Sequence, residues 1–144
     1  TLRECMEIKE NTKSKLMITL FGYIPMFVSK RHLVKNYLKT FDIKDSSNVN
    51  YIYKEDKKYP LMDSSVTTVY TDFILNGLKE KLLLDYDYII LNSFMIEDSK
   101  FSKVLDIFNT VNCENILSKE KELSSMFDNL GKGFFYKETI YKVK

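Results

Sequence analysis

The chain has no tryptophan, alanine or glutamine, and among its 144 residues there are only two cysteines, two prolines, four glycines and one histidine. Each shortage excludes something. Cys5 and Cys113 are far apart and lack any partner at metal-ligand spacing, so they read as two free thiols in a reducing compartment. The solitary His32 cannot belong to a multi-histidine metal site. There is no Gly-rich phosphate loop, nucleophile elbow or HExxH helix. No apolar run approaches the roughly eighteen residues of a membrane span. The amino-terminal TLRECMEIKENTK is a charged, helix-like segment rather than a signal peptide, so the expectation is a cytoplasmic protein without a membrane partner.

What is present reads as globular: 44% apolar and 29% charged residues, in a length that suits one domain with a real core. The net charge of +2 neither diagnoses nor excludes a nucleic-acid binder. The basic residues are twenty lysines and two arginines. Lysine, asparagine, isoleucine and tyrosine have AT-rich codons, so a biased genome explains the lysines without phosphate binding. Arg31 escapes that explanation, because a rigid bidentate donor is rare in this chain.

The chain is organised around residues 16–41. Residues 16–21, LMITLF, form an almost continuously apolar strand of the kind buried on both faces. Gly22 ends it and Pro25 blocks a simple continuation. Ser29 is placed to cap a helix in which Val34, Tyr37, Leu38 and Phe41 share one apolar face and Arg31, Lys35 and Lys39 another. Ser29, Lys30, Arg31 and His32 would then lie at a strand's carboxyl end and a helix's amino end, where α/β folds place their chemistry.

Elsewhere, residues 1–10 read as the tail of a helix cut from something longer, and 45–50 as a turn-rich break. A β-hairpin excursion pairs 50–53 with 58–62 around the KEDK turn at 54–57, and 66–70 is another short strand. Thr71 or Asp72 would cap a helix reaching residue 84, with Ile74, Leu75, Leu78 and Leu82 inward. Residues 86–91, YDYIIL, form a second buried strand. Ser99 would then cap a helix over 101–111 with Phe101, Val104, Leu105 and Phe108 on its face. A helix over 114–129 and a strand over 134–143, with Tyr136 and Tyr141 outward, complete an alternation that predicts parallel βα units.

Three stretches in order, GYIPMFVSKRHLVKNYL at 22–38, TDFILNGLK at 71–79 and GFFYKETIYKVK at 133–144, resemble the collagenase-like peptidase family, especially its short members in low-GC bacteria. The resemblance implies an α/β fold: the carboxyl-terminal half of a TIM-type (β/α)8 barrel, with residues 1–144 a single fragment of that domain. Strands 16–21 and 86–91 would be parallel in one sheet, with helices 29–39 and 99–111 on the same outer side. The open edges of a half barrel would be covered by missing chain, by a family-member partner subunit or by a homodimer.

The resemblance also bears on chemistry. Better-known members have a cysteine at the position of His32, in a serine-x-arginine-cysteine run that ligates an iron–sulfur cluster. Here the later cysteines are missing as well, so this chain alone cannot hold a cluster and no cofactor is expected. The family's lysine-isoleucine-acid-glycine strand end is Ile89, Ile90, Leu91 and Asn92 here, and Leu91 can be neither base nor ligand. Glu97 and Asp98 are either its substitutes or a charged loop. Ser29, Lys30 and Arg31 are either an anion or substrate site or a solvated helix start. His32 is either a catalytic acid–base group or a structural residue. A Ser-His-Asp set drawn from Ser29 or Ser93, His32 and an aspartate has no geometry in sequence. The implied activity is peptidase action or, in the tRNA-hydroxylation branch, a part in making 5-hydroxyuridine at the wobble position. The second is favoured, with tRNA rather than peptide as substrate. A noncatalytic member binding a partner subunit or RNA is the alternative.

Overall fold

A computed structural model describes residues 1–44 and 49–137. The chain divides into two compact units, one made of Thr1–Gly22 and Ile74–Lys144, the other of Tyr23–Phe73. Each has its own four-stranded sheet, and neither sheet closes into a barrel. This overturns the half-barrel expectation: one sheet is mixed and the other entirely antiparallel, whereas a (β/α)8 barrel is all parallel.

The first unit opens with helix α1 (Leu2–Asn11), whose N-cap Thr1 forms a reciprocal capping box with Glu4. Strand β1 (Met17–Gly22) follows. After the second unit come β6 (Ile74–Asn76), the short α3 (Glu80–Leu83), β7 (Tyr88–Leu91), α4 (Asp98–Thr110), α5 (Ile116–Met126) and β8 (Leu130–Gly131). The sheet order is β7-β1-β6-β8. β1 and β7 are parallel neighbours, as expected, with Ile18 opposite Ile89, but β7 is not the buried strand its apolar run suggests: it lies at the sheet edge with Tyr88 and Ile90 exposed. Against this sheet lie Val104, Ile107 and Phe108 of α4 and Leu123 of α5, all buried. Phe21 is fully enclosed, edge-on to Phe108 at 5.9 Å and tilted to Phe127 at 5.7 Å. A buried ring of this size contributes about 2–3 kcal/mol. The α4 face differs by one position from the expected one, since Ile107 is buried while Leu105 is exposed. Glu97, not Ser99, is the α4 N-cap.

The expected helix over 71–84 is mostly absent. Residues 74–76 instead form β6, entirely buried, which pairs antiparallel with β1 and parallel with β8. Gly77 explains the choice. Its N–H donates to the Leu20 carbonyl at 2.7 Å, and a Cβ there would sit 2.8 Å from that same oxygen. Only glycine permits such an approach between the backbones.

The second unit holds β2 (Pro25–Ser29), α2 (Leu33–Thr40), β3 (Asn50–Lys54), β4 (Lys57–Asp63) and β5 (Thr67–Tyr70), with sheet order β2-β5-β4-β3. Pro25 opens an edge strand, where a missing N–H is tolerated. The expected hairpin is present: β3 and β4 pair from Asn50↔Leu61 to Lys54↔Lys57. Its loop is the pair Glu55 and Asp56, with Glu55 left-handed at φ 55°. α2 belongs to this unit, whereas β1 and β7 belong to the sheet of the first. The described start of the expected 134–143 strand is a turn over 133–136 instead, and residues 45–48 and 138–144, which carry the rest of that strand and part of the expected 45–50 break, lie outside the described residues.

Both ends of the second unit emerge from neighbouring strands. Gly22 pairs with Leu75, and within the second unit Thr71 N–H donates to the Ile24 carbonyl at 3.0 Å while Ile24 N–H donates to Thr71 Oγ1 at 3.1 Å. Gly22 has φ 106°, and a Cβ on it would fall 2.3 Å from the Asn92 carbonyl oxygen. No other residue fits there without moving the backbone.

Candidate functional site

The run Ser29 to His32 lies in the second unit, between β2 and α2. Ser29 does not cap the helix. It ends β2, and its hydroxyl accepts from Arg31 N–H at 3.1 Å in a local turn. His32 occupies the N-cap position without a capping bond of its own. Two residues of the adjoining strands β5 and β4 cap α2 instead. The Thr67 hydroxyl accepts from Leu33 N–H at 2.9 Å, and Asp63 Oδ2 accepts from Lys35 N–H at 3.0 Å. Both sit on facing positions of antiparallel strands, Asp63 opposite Thr67. The free amides that an anion would use at a helix start are in this way engaged by the chain itself.

Asp63 has a second partner. His32 Nδ1 lies 3.1 Å from Asp63 Oδ1, and the Thr67 hydroxyl has two acceptors for its one proton, the Arg31 carbonyl at 2.7 Å and Asp63 Oδ1 at 2.9 Å. Burial by itself would raise the Asp63 carboxyl, but the Lys35 amide, the Thr67 hydroxyl and His32 outweigh it and hold the group below its ordinary value. Asp63 is therefore an anion at neutral pH. A carboxylate on Nδ1 favours the tautomer that leaves Nε2 as acceptor, and the imidazole is 44% exposed. His32 and Asp63 thus form a hydrogen-bonded pair at the start of α2.

The cations beside the dyad are open. Lys30 and Arg31 are exposed, and among the described residues neither side chain has a hydrogen-bond or ion-pair partner. The helix that follows carries Lys35 and Lys39 and no acid. Its apolar stripe is only half used: Val34 and Leu38 are partly buried, whereas Tyr37 and Phe41 are more than half exposed with their rings 4.7 Å apart. Between α2 and the β3–β4 pair is a cavity of about 320 Å³ lined by Leu33, Val34, Tyr37, Leu38, Ile52 and Leu61, among others.

The chain is similar to the tRNA hydroxylation protein P2 of Bacillus subtilis (strain 168). The two are 27% identical over 161 aligned residues, covering 94% of this chain and 52% of that protein. The chain thus spans about half the length of the curated relative it matches. No protein-family profile matches it, and no solved structure does. The similarity supports the tRNA-hydroxylation part of the expected relationship at the level of a distant family. Membership of the collagenase-like peptidases is not shown, and nothing supports a peptidase or hydrolase. Among the described residues no helix is long and apolar enough to cross a membrane.

The other expected positions fall in the first unit. Leu91 ends β7 as a partly buried hydrocarbon, Asn92 N–H donates to the Phe21 carbonyl at 2.9 Å, and Glu97 accepts from the Ser99 hydroxyl at the start of α4. Sequence reasoning missed a second cluster there. Glu80 is fully buried, and its carboxylate accepts from Lys132 Nζ at 3.0 Å and from Tyr136 Oη at 2.6 Å. Lys132 also approaches Glu120 at 3.7 Å, and Lys79 pairs with Glu120 at 2.9 Å. The bond to Glu80, aided by burial and by that negative charge, pushes the Tyr136 phenol up to about 12. Every member of this cluster is satisfied, so it pins the segment after β8 to the β6–α3 turn.

Proposed function

We propose that the chain contributes to tRNA hydroxylation at the wobble uridine, with Ser29, Lys30 and Arg31 forming an anion-binding segment that meets tRNA phosphate. His32, steered by Asp63, is the group that accepts and returns a proton. The observation that carries the reading is the similarity to the tRNA hydroxylation protein along nearly the whole chain. Two features support it. Lys30 and Arg31 are unpaired among the described residues, and the nearest carboxylate, Asp63, is already committed to Lys35 N–H, His32 and Thr67.

Replacing a ring C–H by C–OH is a two-electron oxidation, which an imidazole and a carboxylate do not perform. The second reading, a noncatalytic RNA- or partner-binding component, is favoured by the hydrocarbon Leu91 at the strand end where the resembling family carries an acid.

The test is mass spectrometry of tRNA from cells lacking the protein. Wobble hydroxylation should fall, the unaltered gene should restore it, and Arg31→Ala should restore it less well than Arg31→Lys. Unchanged hydroxylation in the deletion strain refutes the proposal, and cleavage of a peptide library by the pure protein would replace it with a peptidase. In direct binding, Arg31→Ala should lower the salt slope by about one unit, as loss of one phosphate contact does.

A further inference from the structure

The space beneath α2 is a groove rather than filled core. A helix that lays an apolar stripe on a sheet normally fills the space below it, because a void forfeits dispersion contacts and apolar transfer energy. Here Val34 and Leu38 are only partly buried and, among the described residues, line a solvent-open groove of about 320 Å³ with Asn50, Tyr51 and Ile52 of β3 and Leu61 of β4. That is the lower end of ligand-pocket sizes, roughly 300–1,000 Å³, suited to one planar ring system rather than to a docked helix. Its rim is aromatic on the helix side, where Tyr37 is 57% exposed and leans on Phe41. Leu33 lines the cavity and lies two residues after Arg31, so the backbone at Arg31 is within about 7 Å of the cavity wall. A guanidinium can span that distance.

We propose that this cavity receives one unpaired nucleobase of a single-stranded RNA, its flanking phosphates on Arg31 and Lys30. The assignment rests on the tRNA reading above and goes further by naming the part of the RNA that is recognised. Charge complementarity selects the ligand. A flat ring with apolar faces, a polar edge and phosphates on both sides matches a mainly apolar slot that also presents Asn50 and Tyr51, beside two cations unpaired among the described residues and a helix without acids. A base face stacked on Tyr37 and enclosed by Leu33, Val34 and Leu38 is held without regard to its identity, as on other aromatic single-strand platforms.

Fluorescence anisotropy with three labelled RNAs tests this: a uridine-rich single-stranded octamer, the same octamer with abasic central positions, and a blunt duplex of that length. The octamer should bind about tenfold or more tighter than its abasic form. Tyr37→Ala, at an exposed position that leaves the core intact, and Val34→Phe, which places a ring in the groove where the base would lie, should each bring that ratio close to one while duplex binding stays unchanged. Arg31→Ala should weaken all three RNAs alike. Equal affinity for the octamer and its abasic form, or a ratio untouched by both variants, overturns the pocket while leaving the tRNA reading in place. An absence of binding to any RNA overturns both. Protection of Tyr37 by an acidic amphipathic peptide but not by RNA would assign the cavity to a protein partner and refute the proposal.

Discussion

Asp63 ties β4 to the first turn of α2, and its removal has a calculable effect. The carboxylate accepts from Lys35 N–H at 3.0 Å, stands 3.1 Å from His32 Nδ1 and 2.9 Å from the Thr67 hydroxyl, and its side chain is only 9% exposed. Losing a helix cap costs about 0.5–2 kcal/mol and losing a charge-assisted hydrogen bond about 1.5–3 kcal/mol. The terms overlap, so Asp63→Ala should destabilise the second unit by about 2–4 kcal/mol. Asp63→Asn keeps an acceptor for Lys35 N–H but loses the charge at the helix start, and should cost about 1–2 kcal/mol. The pH dependence has a definite sign. A carboxyl held below its ordinary value stabilises the fold above about pH 4, and that contribution is lost as pH falls through the lowered value. Urea unfolding followed by far-UV circular dichroism should therefore show a gap between the natural protein and Asp63→Asn that is full at neutral pH and closes in acid. A loss below about 0.5 kcal/mol for Asp63→Ala, or a gap that persists at about pH 2, would refute the capping role.

Three further outcomes follow from local geometry. Gly22→Ala places a Cβ 2.3 Å from the Asn92 carbonyl oxygen at φ 106°, and should lower stability by at least about 2 kcal/mol in a thermal melt. Tyr136, pushed up to about 12, should be among the last of the ten tyrosines to ionise in an ultraviolet titration, and Glu80→Gln should bring it down toward its ordinary value. Its raised value means that its contribution is whole below about pH 10 and disappears as pH rises through about 12. Glu55→Gly relieves a left-handed non-glycine residue at the hairpin loop and should gain about 0.5–1 kcal/mol, read as a higher urea midpoint at unchanged slope.

The parts of the fold that were legible are those written in continuous apolar runs and turn chemistry. β1 and β7 are such runs and do pair in parallel, although only β1 is largely buried and β7 is an edge strand with Tyr88 and Ile90 exposed; the β3–β4 hairpin follows from alternation around a charged turn. The rest depended on contacts between residues distant in the chain. Ile74, Leu75, Leu78 and Leu82 satisfy a helical spacing, but the close approach of Gly77 to Leu20 makes the first two a strand, and no local pattern encodes that approach. Ser29 has the chemistry of a helix cap and loses the position to Thr67 and Asp63, supplied by a different hairpin. At the site, Arg31 and His32 were visible because arginine and histidine are scarce. Asp63 was not, since it lies 31 residues from His32 in a chain with many acids. Glu80 was hidden for the same reason, and Tyr136, whose ring is exposed as expected, conceals a hydroxyl bonded to that buried carboxylate.

The paired neck at Gly22 and Leu75 governs the order in which the first sheet can assemble. β1 and β6 are neighbours whose pairing must close a loop as long as the whole second unit, and loop closure sets the rate of such non-local contacts. Once Tyr23–Phe73 has folded, with Ile24 and Thr71 bonded to each other, the ends of that loop are already side by side and the remaining closure is that of a short hairpin. The inserted unit thereby works as a prefabricated turn, and the cost of uniting β1 with β6 is met by contacts that lie outside their sheet.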